Sequence, residues 1–90
     1  MTCLVDDLGP TTPTKTWPYK QSCHLVCERG MELDRMAVRL GLKPHWKQKQ
    51  QTPGEHYDLT SRKRTLAIKM GAIPVSRRTL AEFVRDKTTV

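Results

Sequence analysis

Short apolar runs alternate with helical segments along this chain, and few folds accommodate that order. Residues 3–5 and 23–27 are largely apolar and typical of strands, and residues 73–75 form a third short run. Three segments predict helices: residues 31–40, residues 61–70 and the segment that begins at residue 77. Strands that alternate with helices in this way predict an α/β fold, in which about three helices pack on a short, mostly parallel sheet.

Stripe and capping signals support the helical segments. The first helix carries one apolar stripe at positions i, i+3, i+4 and i+7, formed by Leu33, Met36, Ala37 and Leu40. Gly41 stands where a residue in the left-handed conformation would end that helix. Thr60 and Ser76 are N-cap candidates for the second and third helices, because their hydroxyls can accept a hydrogen bond from the first turn.

A mainly helical fold is the alternative. The second and third helices would then form a helix-turn-helix, in which residues 71–75 are the turn. Arg77, Arg78 and Thr79 would form the face that contacts the DNA bases. The turn of such motifs is usually about three to four residues long, whereas this one is about five and contains Pro74. The α/β fold is therefore the prediction.

The length of the chain favours one domain. A chain of 90 residues has little room for a second core, so we expect residues 1–90 to fold together, with loops at 9–18 and 43–54. No apolar run approaches the roughly 18 residues that a membrane helix requires. Residues 1–10 also lack the basic start of a secretory signal. The sequence predicts a cytoplasmic protein with no membrane partner.

The three cysteines argue against a secreted disulfide framework, because their number is odd. Cys23 and Cys27 flank His24 at a spacing that hints at a metal. A structural zinc site needs four ligands, however, and the chain has no second cysteine pair. We therefore expect reduced thiols and assign no metal ligand from the sequence.

The net charge of +7 is unevenly distributed. Residues 1–28 carry two basic and three acidic side chains, whereas residues 29–90 carry 14 basic and six acidic ones, a balance of +8. Such an excess is typical of proteins with a polyanionic partner, nucleic acid above all. A cationic surface that only keeps the protein soluble is the alternative.

The densest polar segment is residues 55–58. His56 and Asp58 would point the same way in an extended segment, because side chains alternate with period two. Asp6 follows the first strand and His24 lies in the second, so neighbouring strands would bring them together. The candidate catalytic residues are Asp6, His24, His56, Tyr57 and Asp58. Two carboxylates and two imidazoles could hold a divalent metal or pass protons in general acid–base catalysis. The alternative is that Asp58 only starts a helix and His56 only donates a hydrogen bond within a loop.

Cations gather at the starts of the second and third helices. Positive charge is unfavourable there because of the helix dipole, so a bound anion would relieve the repulsion; exposure to solvent is the alternative. Trp46 lies in a basic loop, which suits stacking on a base or, equally, packing on the core. The candidate residues for binding nucleic acid or phosphate are Arg62, Lys63, Arg64, Arg77, Arg78 and Trp46.

Several short motifs follow one another in a specific order. They are Val5-Asp6, Ser22 with His24-Leu25, Arg39-Leu40-Gly41, His56-Tyr57-Asp58 and Gly71-Ala72. In this order the chain resembles, over nearly its whole length, a family of small bacterial and phage proteins, the domain of unknown function family 4031. Cys23 and the long segment 9–18 depart from the family pattern. The resemblance implies a bacterial or phage origin and no established activity, and it marks the same five polar positions.

Three hypotheses for the function follow. The first, favoured by the charge distribution, is a nucleic-acid-associated binding module. The second is a small hydrolase that acts on a phosphoester or nucleotide through the Asp and His residues. The third is a phage-encoded interaction protein that acts on a host factor in the host cytoplasm. The sequence defines no cofactor.

Overall fold

The computed structural model describes residues 2–15 and 17–88, the side chain of Thr88 excepted. The elements in chain order are β1 (Cys3–Val5), β2 (Gly9–Pro10), β3 (Gln21–Cys27), α1 (Gly30–Leu40), β4 (Tyr57–Leu59), α2 (Ser61–Lys69), β5 (Ile73–Pro74) and α3 (Arg77–Thr88). Of the predicted loops, 9–18 contains β2, with Thr16 outside the described residues, and 43–54 contains a 3-10 turn, Pro44–Trp46. The α/β class with three helices is confirmed.

Strand β3 is the centre of a five-stranded mixed sheet. Its Leu25 pairs with Val5 of β1 on one edge and with Tyr57 of β4 on the other. Strand β2 continues along the edge used by β1, with Gly9 opposite Ser22, and β5 pairs with the far edge of β1. Of the four pairings described, three are antiparallel and the one between β1 and β5 is parallel.

The prediction of a mostly parallel sheet is therefore wrong. Residues 6–20 bring the chain straight back beside β1, and β2 pairs with β3 on the way. A parallel neighbour needs a crossover, usually a helix, that carries the chain back to the other end of the sheet, and the described residues of this segment contain only the short strand β2. Because β3 runs against its neighbours, β1, β4 and β5 all run in one direction and end towards the same side of the sheet.

The helix-turn-helix alternative is wrong because the segment between α2 and α3 is a strand. Ile73 pairs with Leu4, and the N–H of Val75 donates to the carbonyl of Val5 at 2.8 Å. The two helices consequently pack on opposite faces of the sheet, α2 with the main core and α3 with a second cluster.

Side-chain alternation gives the sheet two different faces. One face carries the main core under α1 and α2, formed by Cys3, Val5, Cys23, Leu25, Cys27, Tyr57 and Leu59. On the other face, Leu4 and Val26 pack against Leu80 of α3. The next positions of β1 and β3 on this second face are Asp6 and His24, and the His24 side chain remains 45% exposed. The fold therefore places two polar side chains beside a small apolar cluster, with Asp6 buried and His24 accessible.

The helix boundaries follow the predicted caps. Gly41 adopts a φ of 76°, and its N–H donates into the last turn of α1. The hydroxyl of Thr60 accepts a hydrogen bond from the N–H of Lys63 at 3.2 Å, and that of Ser76 accepts one from the N–H of Thr79 at 3.1 Å. The four residues of α1 predicted to face the core are all buried.

Cys3 and Cys27 form a disulfide, so the expectation of reduced thiols is wrong for this pair. The register explains the bond, because the two residues are directly opposite on β1 and β3. Opposite residues of an antiparallel pair have Cβ atoms about 4.5–5.5 Å apart, which suits a disulfide. Cys23 remains a buried free thiol.

Unreduced, denatured protein is expected to expose one reactive thiol, that of Cys23. Reduction removes a cross-link between residues 24 positions apart. It should lower the free energy of unfolding by about 3 kcal/mol, chiefly because the unfolded chain gains freedom. Urea denaturation with and without dithiothreitol measures the difference, and Cys27→Ser, which should not respond to dithiothreitol, is the control. Three reactive thiols in unreduced protein would contradict the bond.

Candidate metal centre

Three polar side chains form a row across the sheet, on the face that it shares with α3. His24 of β3 is directly opposite Asp58 of β4. On the other edge of β3, Asp6 follows β1 immediately, and its N–H donates to the carbonyl of His24 at 3.3 Å. His56 lies two residues before Asp58 and shares its face. The strands therefore bring together four of the five candidate catalytic residues.

Tyr57, the fifth candidate, lies on the opposite face. Its side chain is 2% exposed within the main core, and burial raises the pKa of its hydroxyl above the ordinary value. The alternation of a strand requires this separation for a residue between His56 and Asp58. The sheet thus stands between Tyr57 and the other four side chains.

The side chains of His24, His56 and Asp58 converge. The Nε2 atom of His56 lies 3.6 Å from Oδ1 of Asp58, and Nε2 of His24 lies 3.9 Å from the same oxygen. The centroids of the two imidazole rings are 5.1 Å apart. One ligand atom from each residue lies within 4.8 Å of the other two. These separations are longer than hydrogen bonds, so the three groups surround a common point without bonding to one another.

The carboxylate of Asp6 orients the ring of His24. Asp6 is 2% exposed; its Oδ2 lies 2.8 Å from Nδ1 of His24, and its Oδ1 accepts the backbone N–H of His24 at 2.6 Å. Because a carboxylate only accepts hydrogen bonds, Nδ1 of His24 carries the proton. In the neutral ring, Nε2 then presents its lone pair on the side of Asp58.

The ring of His56 is oriented in the same way by a backbone carbonyl. Its Nδ1 lies 2.9 Å from the carbonyl oxygen of Gly54. A carbonyl oxygen also only accepts, so Nδ1 of His56 is the donor, and in the neutral ring Nε2 presents a lone pair on the side of Asp58. With both rings neutral, two unprotonated nitrogens and one carboxylate oxygen thus face one another.

Such a set of lone pairs is stabilised by a cation, either a divalent metal ion or a proton on one ring. The hydrogen-bond acceptors at the Nδ1 atoms of the two rings favour the metal. Histidines that bind metals typically donate their other ring N–H to a carboxylate or a backbone carbonyl. His24 uses Asp6 in this way and His56 uses Gly54. The arrangement is therefore a candidate metal centre with two imidazoles and one carboxylate.

The donor set selects the kind of metal. Imidazoles suit zinc, iron(II), cobalt and nickel, whereas magnesium and calcium prefer oxygen ligands throughout. Metal–ligand bonds of about 2.0–2.2 Å place neighbouring ligand atoms about 3–3.4 Å apart. Side-chain rotations that move these ligand atoms together by about 1 Å would meet that requirement. Three protein ligands also leave a coordination position open, as catalytic metal sites do.

Gln48 holds the outer oxygen of Asp58. Its side-chain amide donates to Oδ2 of Asp58, which leaves Oδ1 for the centre. Backbone hydrogen bonds of 2.9 and 3.1 Å pair Gln48 with His56 in both directions. The sequence analysis missed Gln48, because a glutamine in a basic loop has no distinctive signal and its pairing depends on the fold.

An ion-pair network fixes the segment that carries Gln48. The Nζ atom of Lys47 lies 2.7 Å from Oδ1 of Asp34 and 3.3 Å from Oε2 of Glu55. Burial lowers the pKa of Lys47, but the hydrogen bonds and charges of the two carboxylates outweigh burial and raise it above the ordinary value. Lys47 is therefore charged at neutral pH and ties residues 47–55 to α1.

The cysteines lie outside the centre. Cys23 precedes His24 but points to the opposite face. Burial raises the pKa of its thiol to about 12, and the charges of Asp6 and Asp58 act in the same direction. Cys27 is in the disulfide, so the spacing of cysteines around His24 carries no metal site.

Two of the candidate phosphate-binding residues are engaged within the fold. The Nζ atom of Lys63 donates to the carbonyl of Leu40, and Nε of Arg64 donates to the carbonyl of Asp6 at 2.8 Å. The second contact ties α2 to the backbone of the residue that orients His24.

The other four candidates are on the surface. Arg62, Arg77 and Arg78 are exposed, and Nε of Arg78 lies 3.2 Å from a carboxylate oxygen of Glu82. Trp46 is 48% exposed. The six residues thus occupy several places on the molecule and do not form one patch around the centre.

The fold and the site define a small α/β domain with a candidate metal centre on one sheet face. A family model described as "Protein of unknown function (DUF4031)" matches residues 4–87. The chain belongs to this family, as its motifs predicted, and the matched range includes every residue of the centre. No curated protein and no solved structure matches the chain. Among the described residues, no helix is long and apolar enough to cross a membrane.

The metal-free protein is expected to bind one equivalent of Co²⁺ or Zn²⁺ per chain. Replacement His56→Ala removes one of three ligands and should weaken binding by about 100-fold or more. Isothermal titration measures the affinity. His45→Ala is the matched control, because it removes an exposed imidazole that is not part of the centre. Equal affinities of the two variants would contradict the centre.

The Asp6→Asn variant should bind the same metals about 10- to 100-fold more weakly, because it loses the charge behind His24 but removes no ligand. Circular dichroism should show that the variant remains folded. An unchanged metal affinity in a folded variant would mean that Asp6 has no part in orienting the ligand.

Proposed function

We propose that this protein is a metal-dependent hydrolase of phosphoesters, nucleotides among them. The observation that carries the proposal is the convergence of His24, His56 and Asp58, with each imidazole held from behind in the tautomer that a metal requires. Acid–base catalysis without a metal would use the same side chains, but it does not account for both rings turning a lone pair towards a carboxylate.

The accessibility of the centre supports a catalytic role. The side chains of His24 and Asp58 are 45% and 27% exposed. A structural metal is enclosed by four protein ligands, whereas a catalytic metal keeps a position for water or substrate. Three ligands at a partly exposed position match the second description.

The chemistry follows from this arrangement. A divalent ion held by His24, His56 and Asp58 would lower the pKa of a bound water towards neutrality. Asp6 and Gln48 keep two of the ligands in position. In the hydrolysis, the water oxygen forms a bond to phosphorus while the bond from phosphorus to the ester oxygen breaks. One proton of the water passes to the departing alcohol, and the other stays on the phosphate.

The charge around the centre favours an anionic substrate. Nε of Arg64 donates to the backbone carbonyl of Asp6, the residue that orients His24. The first turns of α2 and α3 contain no acidic residue, and residues 29–90 carry a balance of +8. A field of this sign attracts phosphoesters and raises their local concentration.

The metal-loaded chain is expected to hydrolyse p-nitrophenyl phosphate or bis(p-nitrophenyl) phosphate, and a panel of nucleotides would identify the natural class. A chelator should abolish the activity, and Co²⁺ or Mn²⁺ should restore it. His56→Ala should lose the activity, while His45→Ala, purified in the same way, should keep it. Hydrolysis that survives chelation would contradict metal dependence, and equal rates in the two variants would assign the activity to a contaminant.

A nucleic-acid-binding module is the second candidate function. The feature that favours it is Trp46, which is 48% exposed, with Nζ of Lys43 5.7 Å from its ring centroid. An exposed indole beside a cation suits stacking on an unpaired base next to a phosphate. Arg62 is also exposed and available to a phosphate backbone. An acidic host protein as partner remains a prediction from the sequence.

Binding to single-stranded DNA or RNA is expected to weaken steeply between about 50 and 200 mM salt, because each neutralised phosphate releases counterions. Trp46→Ala should cost about 1–3 kcal/mol of binding free energy. Tyr19→Ala is the control, since Tyr19 is an exposed aromatic outside the basic part of the chain. Fluorescence anisotropy measures both effects, and flat, micromolar or weaker binding at about 50 mM salt would contradict this function.

A further inference from the structure

This inference rests on the proposed function and concerns how the substrate is held. Arg77, the first residue of α3, reaches over Gly9 of β2. A Cβ atom at residue 9 would stand 1.4 Å from Nη2 of Arg77, so the guanidinium occupies the space that a side chain there would need. Gly9 itself is buried. The absence of a side chain at this position is what lets Arg77 approach the sheet.

The strand register places this guanidinium on the same sheet face as the candidate metal centre, one strand away from His24. Gly9 is directly opposite Ser22, so a side chain at either position lies on the same face. Ser22 is two residues before His24 on β3 and therefore shares the face of His24. Gly9 and His24 are diagonal neighbours across the two strands, a relationship that spans about 7–8 Å. The Arg77 guanidinium thus lies on the β2 side of His24, whereas Asp58 and His56 lie on its β4 side.

Arg77 is also available to a ligand. Among residues 2–15 and 17–88, it has no ion pair, whereas Arg78 contacts Glu82 and Lys63 donates to a backbone carbonyl. Ser76 caps α3 through the N–H of Thr79, which fixes the backbone from which Arg77 extends. Its exposed guanidinium, on the same sheet face as the centre, can therefore turn towards an anion bound there.

We infer that Arg77 is the phosphate-binding residue of the centre and contacts the phosphoryl group that is hydrolysed beside His24. A guanidinium presents two parallel N–H donors that match two oxygens of a tetrahedral phosphate, and it is charged at every relevant pH. Negative charge on those oxygens is stabilised by such a donor during the reaction. The expected substrates therefore carry a tetrahedral oxyanion that contacts both the metal centre and Arg77 of α3.

Inorganic phosphate, a product of the proposed reaction, is the probe. In the Co²⁺-loaded protein, Arg77→Ala should weaken phosphate binding about 10- to 100-fold, as expected for lost hydrogen bonds from a charged donor. Its Co²⁺ affinity should be unchanged, because Arg77 is not a ligand. Gly9→Ala should also weaken phosphate binding, since the new methyl group displaces the guanidinium. Isothermal titration with Co²⁺ and then with phosphate measures both affinities.

Arg78→Ala is the matched control, because Arg78 is adjacent and exposed but paired with Glu82; its phosphate affinity should equal that of the wild type. Equal phosphate affinities of the Arg77 and Arg78 variants would overturn the inference, as would a Co²⁺-loaded wild type that binds no phosphate. A wild type that binds Co²⁺ and phosphate but hydrolyses no phosphoester would instead overturn the proposed function alone. A chain that binds no Co²⁺ contradicts both.

Discussion

The hydrogen bonds between Asp6 and His24 connect the sheet to the candidate metal centre. Asp6 is 2% exposed, and an ionised carboxylate in such a place is costly unless hydrogen bonds compensate it. One oxygen accepts the backbone N–H of His24, where the regular pairing of β1 with β3 ends, and the other holds the imidazole ring. Strand pairing and ligand orientation therefore depend on the same side chain, so a change at Asp6 affects both.

The main core fixes the register that positions the centre. Tyr57 is buried under α1, while His56 and Asp58, on either side of it, point to the other face. A shift of β4 by one residue would move a carboxylate into the core and a large aromatic ring out of it, which is strongly unfavourable. Apolar burial on the face of the main core thus fixes the positions of the metal ligands on the opposite face.

Signals between residues close in sequence predicted the helices and strands. The features that could not be predicted depend on which strands become neighbours in the fold. The stripe and glycine cap of α1, the hydroxyl caps and the shared direction of His56 and Asp58 all depend on residues close in sequence, and each was readable. The antiparallel return of residues 6–20, the bond between Cys3 and Cys27, and the contact from Gln48 depend on which strands become neighbours. A basic loop or an odd number of cysteines carries no information about those pairings.

The centre also departs from what stability alone would favour. On the same sheet face, Leu4 and Val26 pack against α3, and apolar side chains at the neighbouring positions would extend that cluster. Instead, the Nε2 atoms of two imidazoles lie 3.6 and 3.9 Å from one carboxylate oxygen, and in neutral rings they turn lone pairs towards it. In a chain of 90 residues, whose core leaves a narrow margin of stability, such a repulsive set is unfavourable without a cation. Side chains that lower stability are expected at functional sites, where binding of the ligand compensates for the lost stability.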